Sequence, residues 1–110
     1  MTDDADIVLV AFGITARICK SAIAAVRKDG IKAGLLRPIT LWPFPKKEIG
    51  AIADRAKVFL TVEMNMGQMV DDVRLAVNGK KPVDLYTRTG GMIPSVDEVE
   101  NKIRAVAASL

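Results

Sequence analysis

The stretch VEMNMGQM, Val62 to Met69, places a carboxylate at Glu63 and carboxamides at Asn65 and Gln68. A carboxylate can hold or move a proton, and carboxamides can orient a polar ligand by hydrogen bonding. The same spacing has a purely structural use. Asn65 followed three residues later by Gln68 matches a capping box: Asn accepts from the free N–H groups of a helix start, and Gln reaches back. Gly67 leaves room for the tight approach, and Glu63 just before a helix N-terminus is favoured electrostatically. These three residues are therefore candidates for an interface or ligand contact, and no residue of the chain is assigned a catalytic role.

Two further turns carry candidates. In FGITAR, Gly13 and Thr15 stand at a helix start, where Thr15 either caps the helix or joins the exposed N–H groups in holding an anion. Neither G-x-G-x-x-G nor a Walker pattern is present, which argues against a nucleotide site. In LLRPITLWPFP, Arg37 closes an apolar run and Pro38 forces an extended continuation, while Pro43 and Pro45 stiffen a loop that displays Leu41, Trp42 and Phe44. Either those side chains fold back as a satellite core or they dock on another domain, with Arg37, Trp42 and Phe44 as anchors.

The elements that must position these turns follow from the hydrophobic pattern. Four runs have strand length: DIVLVAF (6–12), IKAGLLR (31–37), KVFLTVE (57–63) and PVDLYTR (82–88). Three are apolar nearly throughout, as expected of parallel strands covered on both faces. Between them lie helical periods. The first carries Ile14, Ile18, Ala22, Ala25 and Val26 as a stripe, with Arg17, Lys20, Ser21 and Arg27 opposite and Gly30 as the stop. The second carries Ile49, Ile52, Ala53 and Ala56. The third carries Met69, Val70, Val73 and Val77 and ends at Asn78-Gly79. The last opens on SVDE, where Ser95 caps and Glu98 reaches back, and runs through Val99, Ile103 and Val106. The order βαβαβαβα predicts an α/β domain with three layers, α/β/α, around a mostly parallel sheet of four to five strands. Ligands and partners of such sheets meet them beyond the carboxyl ends of the strands.

At 110 residues, half of them hydrophobic, residues 1–110 are expected to form a single domain. There is no apolar stretch of membrane-spanning length, and the acidic opening MTDDAD is unlike a secretory leader, so a soluble, cytoplasmic chain is expected. One cysteine and no histidine exclude the usual zinc sites, a self-contained four-cysteine cluster and any histidine triad, so no metal or cofactor is expected in this chain. Cys19, within an apolar helical stripe, is expected to be a small buried hydrophobe. The net charge of +3 is skewed, with ten Lys/Arg against six acids in residues 1–57 and six against seven in the remainder. No basic run or Arg–aromatic interleaving is present, so nucleic acid is not an expected partner.

LRPITLWPFP, VEMNMGQMVDDVRLAVNG and TRTGGMIPS together resemble the C-terminal part of the alpha subunit of 2-oxoacid:ferredoxin oxidoreductases, of the 2-oxoglutarate or the branched-chain 2-oxoisovalerate type. The resemblance covers nearly the whole chain. It implies a transketolase C-terminal-like fold with a mixed sheet of about five strands, one an antiparallel edge; the additional strand would come from the Thr40 region or the tail. It also implies thiamine diphosphate and Mg²⁺ between domains other than this one, and iron–sulfur clusters in other subunits or domains. The implied partners are the pyrimidine-binding domain of the same subunit, the beta subunit and a dimer mate. The implied reaction joins a 2-oxoacid, coenzyme A and oxidised ferredoxin to give acyl-CoA, carbon dioxide and reduced ferredoxin, with this chain as an accessory or assembly domain. Its length is then that of a fragment of a longer subunit. Trp42, Phe44, Met64, Met66 and Met69 would pack against the thiamine domains or the dimer mate, and Arg17, Lys20 and Arg37 are the cations available to coenzyme A. The reading to be separated from this one is a free-standing, flavodoxin-like module that binds a small anion at Gly13 to Thr15 and Arg37.

Overall fold

The computed structural model describes residues 5–11, 14–36, 46–63, 73–75, 77, 81–87 and 95–110. Strand β1 (Ile7–Val10) leads to helix α1 (Ile14–Arg27), strand β2 (Ala33–Leu36), helix α2 (Lys46–Ala53), strand β3 (Val58–Glu63), helical residues at 73–75 and 77, strand β4 (Val83–Thr87) and helix α3 (Val96–Ala108). The strand order is β2-β1-β3-β4, and each neighbouring pair is parallel. Among the described residues the sheet therefore has four strands and no antiparallel edge. The tail is helical, and the Thr40 region lies outside the described residues.

The two central strands, β1 and β3, bury both of their faces. Ile7 and Leu9 of β1, with Val58, Leu60 and Val62 of β3, meet α1 and α3 in one apolar layer. Val8, Val10 and Phe59 point the other way, toward Ile49, Ile52 and Ala53 of α2 and toward Val73 and Val77. Alternate side chains thus enter two different cores, which is why the strands read as unbroken apolar runs. Val73 and Val77 are fully buried as expected, while Met69, Val70 and the Asn78-Gly79 stop lie outside the described residues.

Helix α1 turns its small residues Ala16, Cys19 and Ala22 inward with Ile23 and Val26, all at 1% exposure or less. Its buried face is therefore rotated from the anticipated stripe. Ile18 is only partly buried at the edge of the cluster, and Ala25 is half-buried. The cause is that α1 packs on both the sheet and α3, so its contact arc is wider than one stripe. Arg17, Lys20 and Ser21 are exposed. Arg27 is half-buried, and its Nε donates to the Ala33 carbonyl at 2.7 Å.

The helix ends as the Gly30 signal requires. Gly30 has φ 84°, its N–H donates to the Arg27 carbonyl at 3.1 Å, and the Ile31 N–H donates to the Val26 carbonyl at 3.2 Å. These two bonds make a Schellman motif, and the Ile31 and Val26 side chains belong to the same apolar cluster. At the start of α3, Ser95 Oγ accepts from the Glu98 N–H at 3.1 Å while a Glu98 carboxylate oxygen accepts from the Ser95 N–H at 3.4 Å, which is the anticipated capping box.

Candidate functional site

The sheet order creates one place where connections diverge. From β1 the chain crosses to β2 on one side, and from β3 it crosses to β4 on the other. The boundary between the carboxyl ends of the two central strands is thus a topological switch point, where open α/β sheets take their ligands. Residues at this end include Ala11 after β1, the first turn of α1, and Thr61 to Glu63 closing β3.

Of the residues singled out in the sequence, Thr15 is described in full. It is the second residue of α1, so it does not occupy the cap position that precedes a helix, and it is 4% exposed. Glu63 is the last residue of β3 and pairs in register with Thr87 of β4. Arg37, Trp42, Phe44, Asn65 and Gln68 lie outside the described residues, as do Met64, Met66 and Met69.

The structure adds groups that the pattern analysis passed over. Thr61 sits in the middle of the sheet, in register with Val10 on one side and Leu85 on the other. Its residue exposure is 0%, and its hydroxyl has no hydrogen-bond partner among the described residues. A threonine inside an apolar run gives little notice of this, because its shape is that of valine. Tyr86, two residues further along β4 than Asp84, donates its phenol to Glu98 Oε2. The Glu98 carboxylate therefore has two tasks, closing the capping box and clasping the edge strand to α3. Lys102 pairs with Asp84 at 3.1 Å one turn further on. At the opposite end of the layer Arg104 reaches Asp29 at 2.6 Å and Glu100 at 2.9 Å. Its hydrogen bonds donated to Glu100 first and then to Asp29 raise the guanidinium above its already high ordinary pKa. These contacts fix how α3 lies against β4 and the α1 stop.

Cys19 is fully buried, and burial pushes its thiol up from its ordinary 9.0 to about 12. It is a small apolar core residue, as anticipated. Among the described residues no three His, Cys, Asp or Glu side chains converge as a metal site would require, and no helix is long and apolar enough to cross a membrane.

The family model for pyruvate:ferredoxin oxidoreductase core domain II matches residues 5–99. The chain belongs to that family. It is 48% identical over 107 residues to the ketoisovalerate oxidoreductase subunit VorB of Methanothermobacter marburgensis, an alignment covering 97% of this chain and 30% of that protein. It is 40% identical over 102 residues to the 2-oxoglutarate synthase subunit KorA of the same organism, covering 93% of this chain and 27% of that one. The chain thus corresponds to about a third of these relatives or less. Among solved structures, a 2-oxoglutarate:ferredoxin oxidoreductase from Magnetococcus marinus, with 2-oxoglutarate, coenzyme A and succinyl-CoA bound, superposes with a TM-score of 0.81 at 24% identity, over 93% of this chain and 18% of that one. A split-gene transketolase in an inactive beta4 tetramer also gives 0.81, at 16% identity, over 96% of this chain and 39% of that one. The α/β fold anticipated from the βαβ pattern is therefore the fold of oxidoreductase and transketolase domains.

Proposed function

We propose that this domain is the accessory, assembly-supporting unit of a thiamine-dependent 2-oxoacid:ferredoxin oxidoreductase alpha subunit. Such an enzyme converts a 2-oxoacid, coenzyme A and oxidised ferredoxin to acyl-CoA, carbon dioxide and reduced ferredoxin. The observation that carries this reading is the alignment of 97% of the chain, at 48% identity, with about a third of a ketoisovalerate oxidoreductase subunit. Thiamine diphosphate, when bound to the whole enzyme, supplies the electron sink for decarboxylation. In this reading the domain contributes a rigid α/β body that holds a docking edge.

That edge is the carboxyl end of the sheet. Arg37, Trp42 and Phe44 follow β2 in sequence, and Glu63, Asn65, Gln68 and the methionines Met64, Met66 and Met69 close or follow β3. Aromatic, arginine and methionine side chains are favoured interface anchors. The partners of this reading are the pyrimidine-binding domain of the same subunit, the beta subunit and a dimer mate, in the cytoplasm. The preferred substrate class is a 2-oxoacid of the 2-oxoisovalerate or 2-oxoglutarate kind.

Affinity capture with the beta subunit, in the presence of the rest of the alpha subunit, tests it. Co-purification is expected, and Trp42→Ala with Phe44→Ala should weaken it by at least tenfold, since buried aromatic anchors often contribute about 2 kcal/mol or more. A chain that folds yet ignores these partners refutes the assignment. In the assembled enzyme Glu63→Gln should leave turnover within a few-fold of wild type; loss of turnover with assembly and cofactor content intact would instead make Glu63 catalytic.

A further inference from the structure

The outer face of α1 carries an unbalanced row of cations. Arg17, Lys20, Ser21 and Ala24 fall on one side of the helix by its periodicity, and Lys28 extends the row just past the last helical residue. All five residues are exposed. None of the three cations has a carboxylate partner among the described residues. Helix α1 contains no acid of its own, and Asp29, beside Lys28 in sequence, is turned to Arg104 at 2.6 Å. The helix's own electrostatics oppose this layout. Arg17 stands in the first turn, where the positive end of the helix dipole disfavours a cation, and Arg17 and Lys20, three residues apart, repel one another. Helix α3 in the same layer shows the balanced alternative, with Asp97 and Glu98 in its first turn and Arg104 paired to Glu100 one turn back. No described carboxylate supplies that compensation to α1.

We infer that the outer face of α1 docks an acidic helix of a partner polypeptide. Between the cations lie Ser21 and Ala24, whose small side chains let a second helix approach along the row. The row spans about 16 Å from Arg17 to Lys28 at the helical rise per residue, so carboxylates spaced along one face of a partner helix meet all three cations. A membrane surface fits less well, because this face displays no Trp, Phe or Leu to insert. A single strand of nucleic acid would find no aromatic ring among the cations to stack on. The face runs along the helical layer instead of the carboxyl end of the sheet, so the inference stands apart from the assembly reading.

The test is amide-resolved NMR of the full chain, titrated at constant ionic strength with a helical peptide that bears Glu along one face, and with a peptide of the same composition whose Glu residues are scattered around the helix. Saturable shifts confined to α1 between Arg17 and Lys28 are expected with the first peptide, and markedly weaker binding with the second. Arg17→Gln and Lys20→Gln should each weaken the first peptide about two- to fivefold, the effect of one exposed ion pair. Ala24→Gln leaves the charge unchanged and suits a helix, yet should weaken binding by obstructing the approach. Lys102→Gln, which removes a cation already paired with Asp84, should leave binding unchanged. The inference is overturned by absent or non-saturable shifts, by equal binding of the two peptides, or by shifts centred on Lys32 and Lys57. It is also overturned by a folded Arg17→Gln/Lys20→Gln double variant or an Ala24→Gln variant that titrates like the wild type, by Lys102→Gln weakening the peptide as much as Lys20→Gln, and by tighter binding of a single-stranded oligonucleotide or of phosphatidylserine vesicles at the same face.

Discussion

Replacing Thr61 by valine should make the protein more stable, against the usual direction for a core substitution. Thr61 is completely buried between Val10 and Leu85, and its hydroxyl has no partner among the described residues. Desolvating a hydroxyl without a compensating hydrogen bond costs about 1–3 kcal/mol. Valine has nearly the same shape, suits a central strand at least as well, and puts a methyl group where the hydroxyl was. Recovering part of that cost, about 1–2 kcal/mol, is the expected gain. For 110 residues the unfolding entropy is about 0.23 kcal/mol/K, so each kcal/mol moves the midpoint by about 4 °C. Thr61→Val should therefore raise Tm by about 4–8 °C and shift the urea midpoint upward at unchanged slope. Thr61→Ser separates the two groups, because it keeps the hydroxyl and loses the methyl; it should lower stability by about 1 kcal/mol. If Thr61→Val instead lowers the midpoint, the hydroxyl has a partner that stabilises the fold, and the reasoning from its isolation fails.

Tyr86→Phe removes the phenol that Glu98 accepts and should cost about 1–2 kcal/mol in a urea melt, below the full value of a charged hydrogen bond because the pair is half-exposed. Ser95→Ala removes the cap of α3 and should cost about 1 kcal/mol. Its effect and that of Tyr86→Phe should be non-additive in a double-mutant cycle, because both act on the Glu98 carboxylate. Gly30→Ala meets no atom within 4 Å but is held at φ 84°, so its cost of about 1 kcal/mol should come from backbone strain alone. Cys19 should resist thiol reagents in the folded protein at pH 8 and react on unfolding. With its folded pKa pushed up to about 12, the unfolded state loses the proton first, so the thiol's contribution is fully present below pH 9.0 and is lost progressively between there and about 12. Cys19→Ala should flatten that alkaline decline.

The elements were legible because their signals are local. The unbroken apolar runs marked strands that place alternate residues in two cores, as Ile7 and Leu9 against Val8 and Val10 show. Gly30 and the Ser95–Glu98 pair marked a helix end and a helix start, since a positive φ and a capping box each depend on a few adjacent residues. The site was legible only as an address. Strand order cannot be read from a single chain, and it is the order β2-β1-β3-β4 that puts the first turn of α1 and the end of β3 at one switch point.

Sequence alone thus determined the α/β class, the strand and helix positions, the inert burial of Cys19 and the family resemblance, because each rests on residue type and short-range spacing. Tertiary structure decided which residues lack partners and which share one. The isolation of the Thr61 hydroxyl, the burial of Thr15 inside the helix instead of at its cap, and the double use of Glu98 by Ser95 and Tyr86 depend on neighbours far away in sequence or across the layers. Burial and hydrogen-bond satisfaction are properties of the assembled layers, and the pattern along the chain does not carry them.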